Sequence, residues 1–140
     1  MIAQEVLTKC KSLWAELESF RQFPYRDTTE HLTIGYGRNL EQRGITKPEA
    51  VYLMLSDIAY FFEKLLEFKF FENLSDNRKI AVMLIAANVG INGLLSFKKM
   101  IMALESEDFE RASDEILNSK AAEQAPSRYQ KIADMIKNDL

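Results

Sequence analysis

The chain has 140 residues, 47% of them hydrophobic and 28% charged, a balance that supports a folded core and excludes a disordered tract. A chain of this length buries roughly two-thirds of its unfolded surface, so neither a disulfide nor a structural metal is needed and one domain is expected. Lys and Arg number 18 against 21 Asp and Glu, a net charge of −3 with a pI near 5.3, and this gives no support to nucleic-acid binding, which would want a basic stripe.

Ile2, Val6, Leu7, Cys10, Leu13, Trp14 and Leu17 recur at helical spacing and predict a first helix over about 2–18. Cys10 belongs to that apolar series and is expected in the core, not as a reactive thiol. As the single cysteine it excludes an internal disulfide. His31, the single histidine, has no Cys or His cluster with which to share a metal, and no metal site is expected. Gln4, Glu5, Lys9 and Lys11 follow Met1 before an apolar signal region can form, so the chain is expected to begin at Met1 without a secretory signal.

A short β segment is expected over about 23–40, and only helices after it. Thr46-Lys47-Pro48-Glu49 is a capping box, in which hydroxyl and carboxylate satisfy exposed N–H groups and proline is tolerated in the first turn. The helix it opens runs to about Phe68. Ile58, Phe61, Phe62, Leu65 and Leu66 recur on one face of it and Glu63, Lys64, Glu67 and Lys69 interrupt the apolar run, so it is amphipathic and no membrane span. Ser75, with Arg78 after it, opens the next helix. Residues 80–87 are apolar all round and predict a buried central helix that Gly90 closes, well short of the roughly 20 residues a membrane span needs. Further helices are expected over 94–104 and 108–117, and Pro126 stands in the first turn of the last. No repeat, low-complexity tract or linker divides the chain.

Within this frame Glu18 and Asp27 stand nine residues apart, at the end of the first helix and after an extended stretch, and Thr33 follows in the strand-like run Leu32-Thr33-Ile34-Gly35-Tyr36-Gly37. Cleaving a glycosidic bond takes a proton for the leaving oxygen and a carboxylate or activated water on the other face of the sugar, and two carboxyl groups can divide that labour. On residue types alone, a solvated helix end, a turn residue and an ordinary strand threonine are the favoured reading of the same three positions.

The segment 18–40 carries more than these three. With Pro24-Tyr25, Asp27-Thr28, Thr33-Ile34-Gly35-Tyr36-Gly37 and Asn39-Leu40 it resembles the catalytic segment of the phage-type lysozymes, or endolysins, in residue type and spacing together. The resemblance continues through Gly44-Ile45-Thr46-Lys47, Glu49-Ala50, Asp57, Asn88-Val89-Gly90-Ile91-Asn92-Gly93, the stretch 119–124, Pro126 and Arg128, and so covers most of the chain. It implies an α+β, mostly helical fold in one domain, 1–140. A small β-containing lobe, about 18–45, and a helical lobe, about 70–140 plus the first helix, would be joined by a long helix, with the active-site groove between them.

The resemblance further implies that Glu18 is the general acid, Asp27 the base that orients a water, and Thr33 its partner. Gly37 and Asn88 are implied as substrate-binding, Asn88 through an N-acetyl group of the sugar; a polar residue at a helix end is the plainer reading of Asn88. Arg128 falls where an arginine reaches the catalytic Glu, and such a cation would oppose the raised pKa that a general acid gains from burial. Arg38 replaces a histidine found after the Gly-x-Gly in relatives, while the acidic position remains as Asp57. An Arg38–Asp57 ion pair tying the β segment to the long helix is therefore expected. Other departures are Glu30 in place of a glycine, implying a turn of different shape, Ser19 in place of the glycine after the catalytic Glu, and Ala121 where relatives can carry a tryptophan.

The function so implied is hydrolysis, by inversion and without metal or organic cofactor, of the β-1,4 bond between N-acetylmuramic acid and N-acetylglucosamine in bacterial peptidoglycan. The two carboxyl groups would then stand roughly 6.5–9.5 Å apart. A catalytically silent wall-binding module of the same fold and a hydrolase of chitin-like polymers are the alternatives. Net acidity gives no steering toward an anionic wall. No nucleic-acid partner and no stable membrane insertion are expected. A monomer that waits in the cytoplasm until a separate holin releases it to the wall completes the expectation.

Overall fold

In the computed structural model, which describes residues 1–140, helix α1 (Gln4–Leu17) leads into a three-stranded antiparallel sheet of β1 (Arg21–Arg26), β2 (Leu32–Gly35) and β3 (Arg38–Asn39). Seven helices follow: α2 (Lys47–Leu65), α3 (Lys69–Glu72), α4 (Asp76–Leu95), α5 (Lys98–Glu105), α6 (Phe109–Leu117), α7 (Lys120–Gln124) and α8 (Pro126–Asn138). The fold is α+β and mostly helical. Two compact units divide it, Met1–Tyr52 and Leu53–Leu140, with the boundary inside α2.

In the first unit β2 is the central strand, and Thr33 pairs with Tyr25 of β1 on one side and Asn39 of β3 on the other. Thr33 is accordingly buried, at 2% exposure. The ladder between β1 and β2 is irregular between Arg21 and Tyr25, the stretch that contains Pro24, a residue without an N–H to donate. Gly35 and Gly37 both have positive φ, 69° and 79°, and turn the chain from β2 into β3. The capping box forms as expected: Glu49 N–H donates to Thr46 Oγ1 at 3.4 Å and Thr46 N–H to Glu49 Oε2 at 3.1 Å.

Helix α1 buries none of its residues, and Cys10 is exposed, which corrects the expectation of a core cysteine. Helical periodicity identifies which face is apolar but not whether anything covers it. The bonds that tie α1 down are at its C-terminal turn, where the Trp14 indole N–H donates to the Tyr36 carbonyl at 2.9 Å.

In the second unit the core gathers Leu65, Phe71, Ile85, Leu94, Ile116 and Tyr129, among others, from α2, α3, α4, α6 and α8. Helix starts follow side-chain caps: Ser75 accepts from Arg78 N–H, Asp108 from Arg111 N–H and Ser119 from Ala122 N–H. The last of these opens α7, a short helix the periodicity did not indicate. Gly90, at φ 79° and ψ 170°, breaks the helical geometry as expected, but helix resumes to Leu95, and the next begins at Lys98 instead of Leu94. Residues 80–87 are not buried all round: Ala81, Val82, Ile85 and Ala86 face the core, while Ile80 and Leu84 are exposed. By length and hydropathy alone α4 would suffice to cross a membrane.

Candidate active site

Glu18 caps the C-terminus of α1, leaving helical geometry at φ −108° and ψ 105°, with its N–H donating to the Trp14 carbonyl at 2.8 Å. Its side chain lies over the β2–β3 turn. A Cβ on Gly37 would stand 3.1 Å from Glu18 Cδ and Oε2, so glycine suits this position by its φ of 79° and because any side chain would press the carboxyl group aside. Trp14 holds both sides of this contact, through its carbonyl to Glu18 and its indole to Tyr36. The Phe20 and Tyr36 rings pack with centroids 5.6 Å apart beside it.

Asp27 follows the last residue of β1. Its Oδ1 accepts three hydrogen bonds, from Thr29 N–H at 2.8 Å, Thr29 Oγ1 at 2.8 Å and His31 N–H at 2.9 Å. These donors, the His31 N–H foremost and then the Thr29 hydroxyl, hold its carboxyl below the ordinary aspartate value, against a smaller opposing effect of burial. Oδ2 takes none of the three bonds. The Thr33 hydroxyl donates to the His31 carbonyl at 2.8 Å, and the same carbonyl accepts the Asp27 N–H at 3.0 Å. Asp27 and Thr33 are thus registered on one peptide group, and Thr33, its proton committed, has lone pairs left to accept.

Glu30 lies in this turn at φ 63°, the left-handed region that glycine favours. The turn therefore has a conformation suited to glycine, held here by Glu30.

Arg38, expected to pair with Asp57, has Glu49 as its partner within its own unit. Its Nη1 and Nη2 donate to Glu49 Oε2 and Oε1 at 2.6 and 2.7 Å, and Nη1 also to the Gly44 carbonyl at 2.9 Å. Glu49 is nearer in the chain and already fixed by the capping box, so the planar guanidinium finds a preoriented carboxylate. Together with the Thr46 N–H, Arg38 pulls the Glu49 pKa down to about 2. Asp57 is exposed on α2.

Asn88 and Arg128 belong to the second unit, where both line a concavity of about 370 Å³ with Leu84, Ala87, Lys131 and Ile132. The buried Tyr129 hydroxyl donates to Asn88 Oδ1 at 2.7 Å, which leaves the Asn88 amide nitrogen as the free donor. Ala121 lines a separate concavity of about 580 Å³ in the same unit. No three His, Cys, Asp or Glu side chains come together as metal ligands.

Thr29 and His31, which contact Asp27 directly, were not singled out from the sequence as site residues. The only signal for them was local, an Asp followed by a hydroxyl residue two positions on, the pattern of an Asx turn.

Among protein families, the phage lysozyme model matches residues 15–131, most of the chain and a range that contains Glu18, Asp27, Thr33, Arg38, Asn88 and Arg128. The protein belongs to the phage lysozyme family. No curated protein matches it closely enough to count as a relative. As a phage lysozyme it is a glycoside hydrolase of the peptidoglycan-degrading, endolysin type, with bacterial peptidoglycan as its substrate.

Proposed function

We propose that this phage lysozyme cleaves the β-1,4 bond between N-acetylmuramic acid and N-acetylglucosamine by general acid/base catalysis with inversion. The observation that carries the reading is the state of Asp27: Oδ1 saturated by three donors, the carboxylate form favoured, and Thr33 anchored to the same His31 peptide. A water donating one proton to Asp27 Oδ2 and the other to Thr33 Oγ1 has its remaining lone pair free for the anomeric carbon. Glu18 delivers its proton to the leaving oxygen as the bond breaks, and Asp27 takes the proton that the water gives up. Charge is conserved across the step, and the two carboxyl groups exchange protonation states.

Within the second unit, the free amide N–H of Asn88 is a donor suited to a sugar acetamido carbonyl, with Arg128 in the same concavity. No metal or organic cofactor takes part. In keeping with the family, the enzyme acts as a monomer and reaches the wall from the cytoplasm after a separate holin opens the membrane.

Clearing of a purified peptidoglycan suspension tests the assignment. The unmodified chain is expected to clear it, and Glu18→Gln and Asp27→Asn are expected not to. Equal clearing by Glu18→Gln removes the acid, and binding without clearing by the unmodified chain leaves only a wall-binding module. The anomer first formed, read by NMR on soluble glycan strands, is α if the reaction inverts and β if it retains.

A further inference from the structure

Beyond its three donors, Asp27 stands at the end of a longer series of side chains whose direction is fixed from the far end. The backbone N–H of Gln42 donates to Asn39 Oδ1 at 2.9 Å, which assigns the Asn39 amide nitrogen as donor. That nitrogen lies 3.1 Å from Gln42 Oε1, so the Gln42 amide in turn presents its nitrogen to His31, 3.3 Å from Nε2. An amide nitrogen only donates, so His31 Nε2 is the accepting nitrogen and the ring proton sits on Nδ1. His31 Nδ1 is 2.7 Å from Thr29 Oγ1, and with that oxygen accepting, the Thr29 proton is left for Asp27 Oδ1 at 2.8 Å.

We propose that Thr29 and His31 are positioning residues for Asp27, forming with Gln42 and Asn39 a one-way series of hydrogen bonds that fixes which carboxylate oxygen meets the attacking water. The inference rests on the assignment of Asp27 as the base. Each donor in the series is polarised by the bond it accepts from the one before it, so the bond received by Oδ1 is stronger than an isolated hydroxyl would give. With Oδ1 so held, rotation of the carboxylate is opposed and Oδ2 stays the proton acceptor. Asn39 also pairs across the sheet with Thr33, so one strand neighbour carries both the origin of the series and the water's second anchor.

Steady-state kinetics on soluble, uncross-linked glycan strands test this with Thr29→Val, Thr29→Ser, His31→Ala and His31→Asn, alongside Glu18→Gln and Asp27→Asn. Thr29→Val keeps the shape and loses the hydroxyl; His31→Asn keeps a donor near the place of Nδ1. We expect Thr29→Val and His31→Ala to lose about 10–100-fold in kcat with KM nearly unchanged, the scale of a misplaced reacting group. Thr29→Ser and His31→Asn should recover most of that loss. Wild-type kcat in Thr29→Val and His31→Ala, with Glu18→Gln and Asp27→Asn inactive, overturns the positioning role and leaves the proposed function standing. Equal losses in the conservative and non-conservative variants, tracking thermal stability, overturn it as well, since they mark a purely structural turn. Full activity in Asp27→Asn removes the base and the positioning role together.

Discussion

Arg38 and Glu49 meet through two parallel hydrogen bonds of 2.6 and 2.7 Å, which fasten strand β3 to the first turn of α2 within one unit. Glu49 has a folded-state pKa of about 2 against an ordinary 4.5, so between those values the unfolded chain binds the proton and the folded chain does not. The stabilisation is complete above about pH 4.5 and is lost as pH falls toward 2. Circular dichroism melts are expected to show a smaller fall in Tm over this range for Glu49→Gln than for the unmodified chain.

Arg38 is held by Glu49, and Asp57 is exposed on α2. Asp57→Asn is expected to change the free energy of unfolding by less than about 0.5 kcal/mol in urea titrations, as for other exposed positions.

Glu30 holds a left-handed backbone conformation, φ 63°, which costs an L-residue roughly 1–2 kcal/mol relative to glycine. Glycine loses more chain entropy on folding, about 0.5–1 kcal/mol. Glu30→Gly is therefore expected to stabilise the chain by about 0.5–1 kcal/mol, read as a higher urea midpoint at unchanged slope.

Gly37 lies beneath the Glu18 carboxyl group. A methyl group at this position meets Glu18 Cδ and Oε2 at 3.1 Å and is also strained at φ 79°. Gly37→Ala is expected to cost about 1–2 kcal/mol of stability. By displacing the acid it should also lower kcat about 10–100-fold, measured on folded protein. Unchanged kcat would show that Glu18 can move aside without consequence.

The donors around Asp27 favour its ionised form, so the acid limb of kcat/KM that belongs to this group is expected below the ordinary aspartate value of 3.8. Thr29→Val removes one of those donors and therefore raises the folded pKa. Its acid limb should move to higher pH, and an unmoved limb would mean that another group sets it.

Much of this architecture was legible locally. The caps at Thr46, Ser75 and Asp108 and the proline at 126 are sequence signals because a helix start is satisfied by residues within one turn of it. What escaped depended on partners rather than pattern. Asp57 was the expected partner of Arg38, while Glu49 was read only as a capping-box residue, and the pairing of Arg38 with Glu49 became visible only with coordinates. The apolar series of α1 was visible but its exposure was not, because periodicity carries no information about what lies opposite. At the site, Glu18, Asp27 and Thr33 came from family likeness, whereas the series from Asn39 to Asp27 needed coordinates, since it joins a strand, a turn and the loop after β3.

Pro24 interrupts the pairing of β1, the outer strand of the sheet. The same irregularity also breaks the even spacing that a foreign strand would need along the outer side of β1. A three-stranded sheet this small is thereby guarded against recruiting neighbours edge to edge.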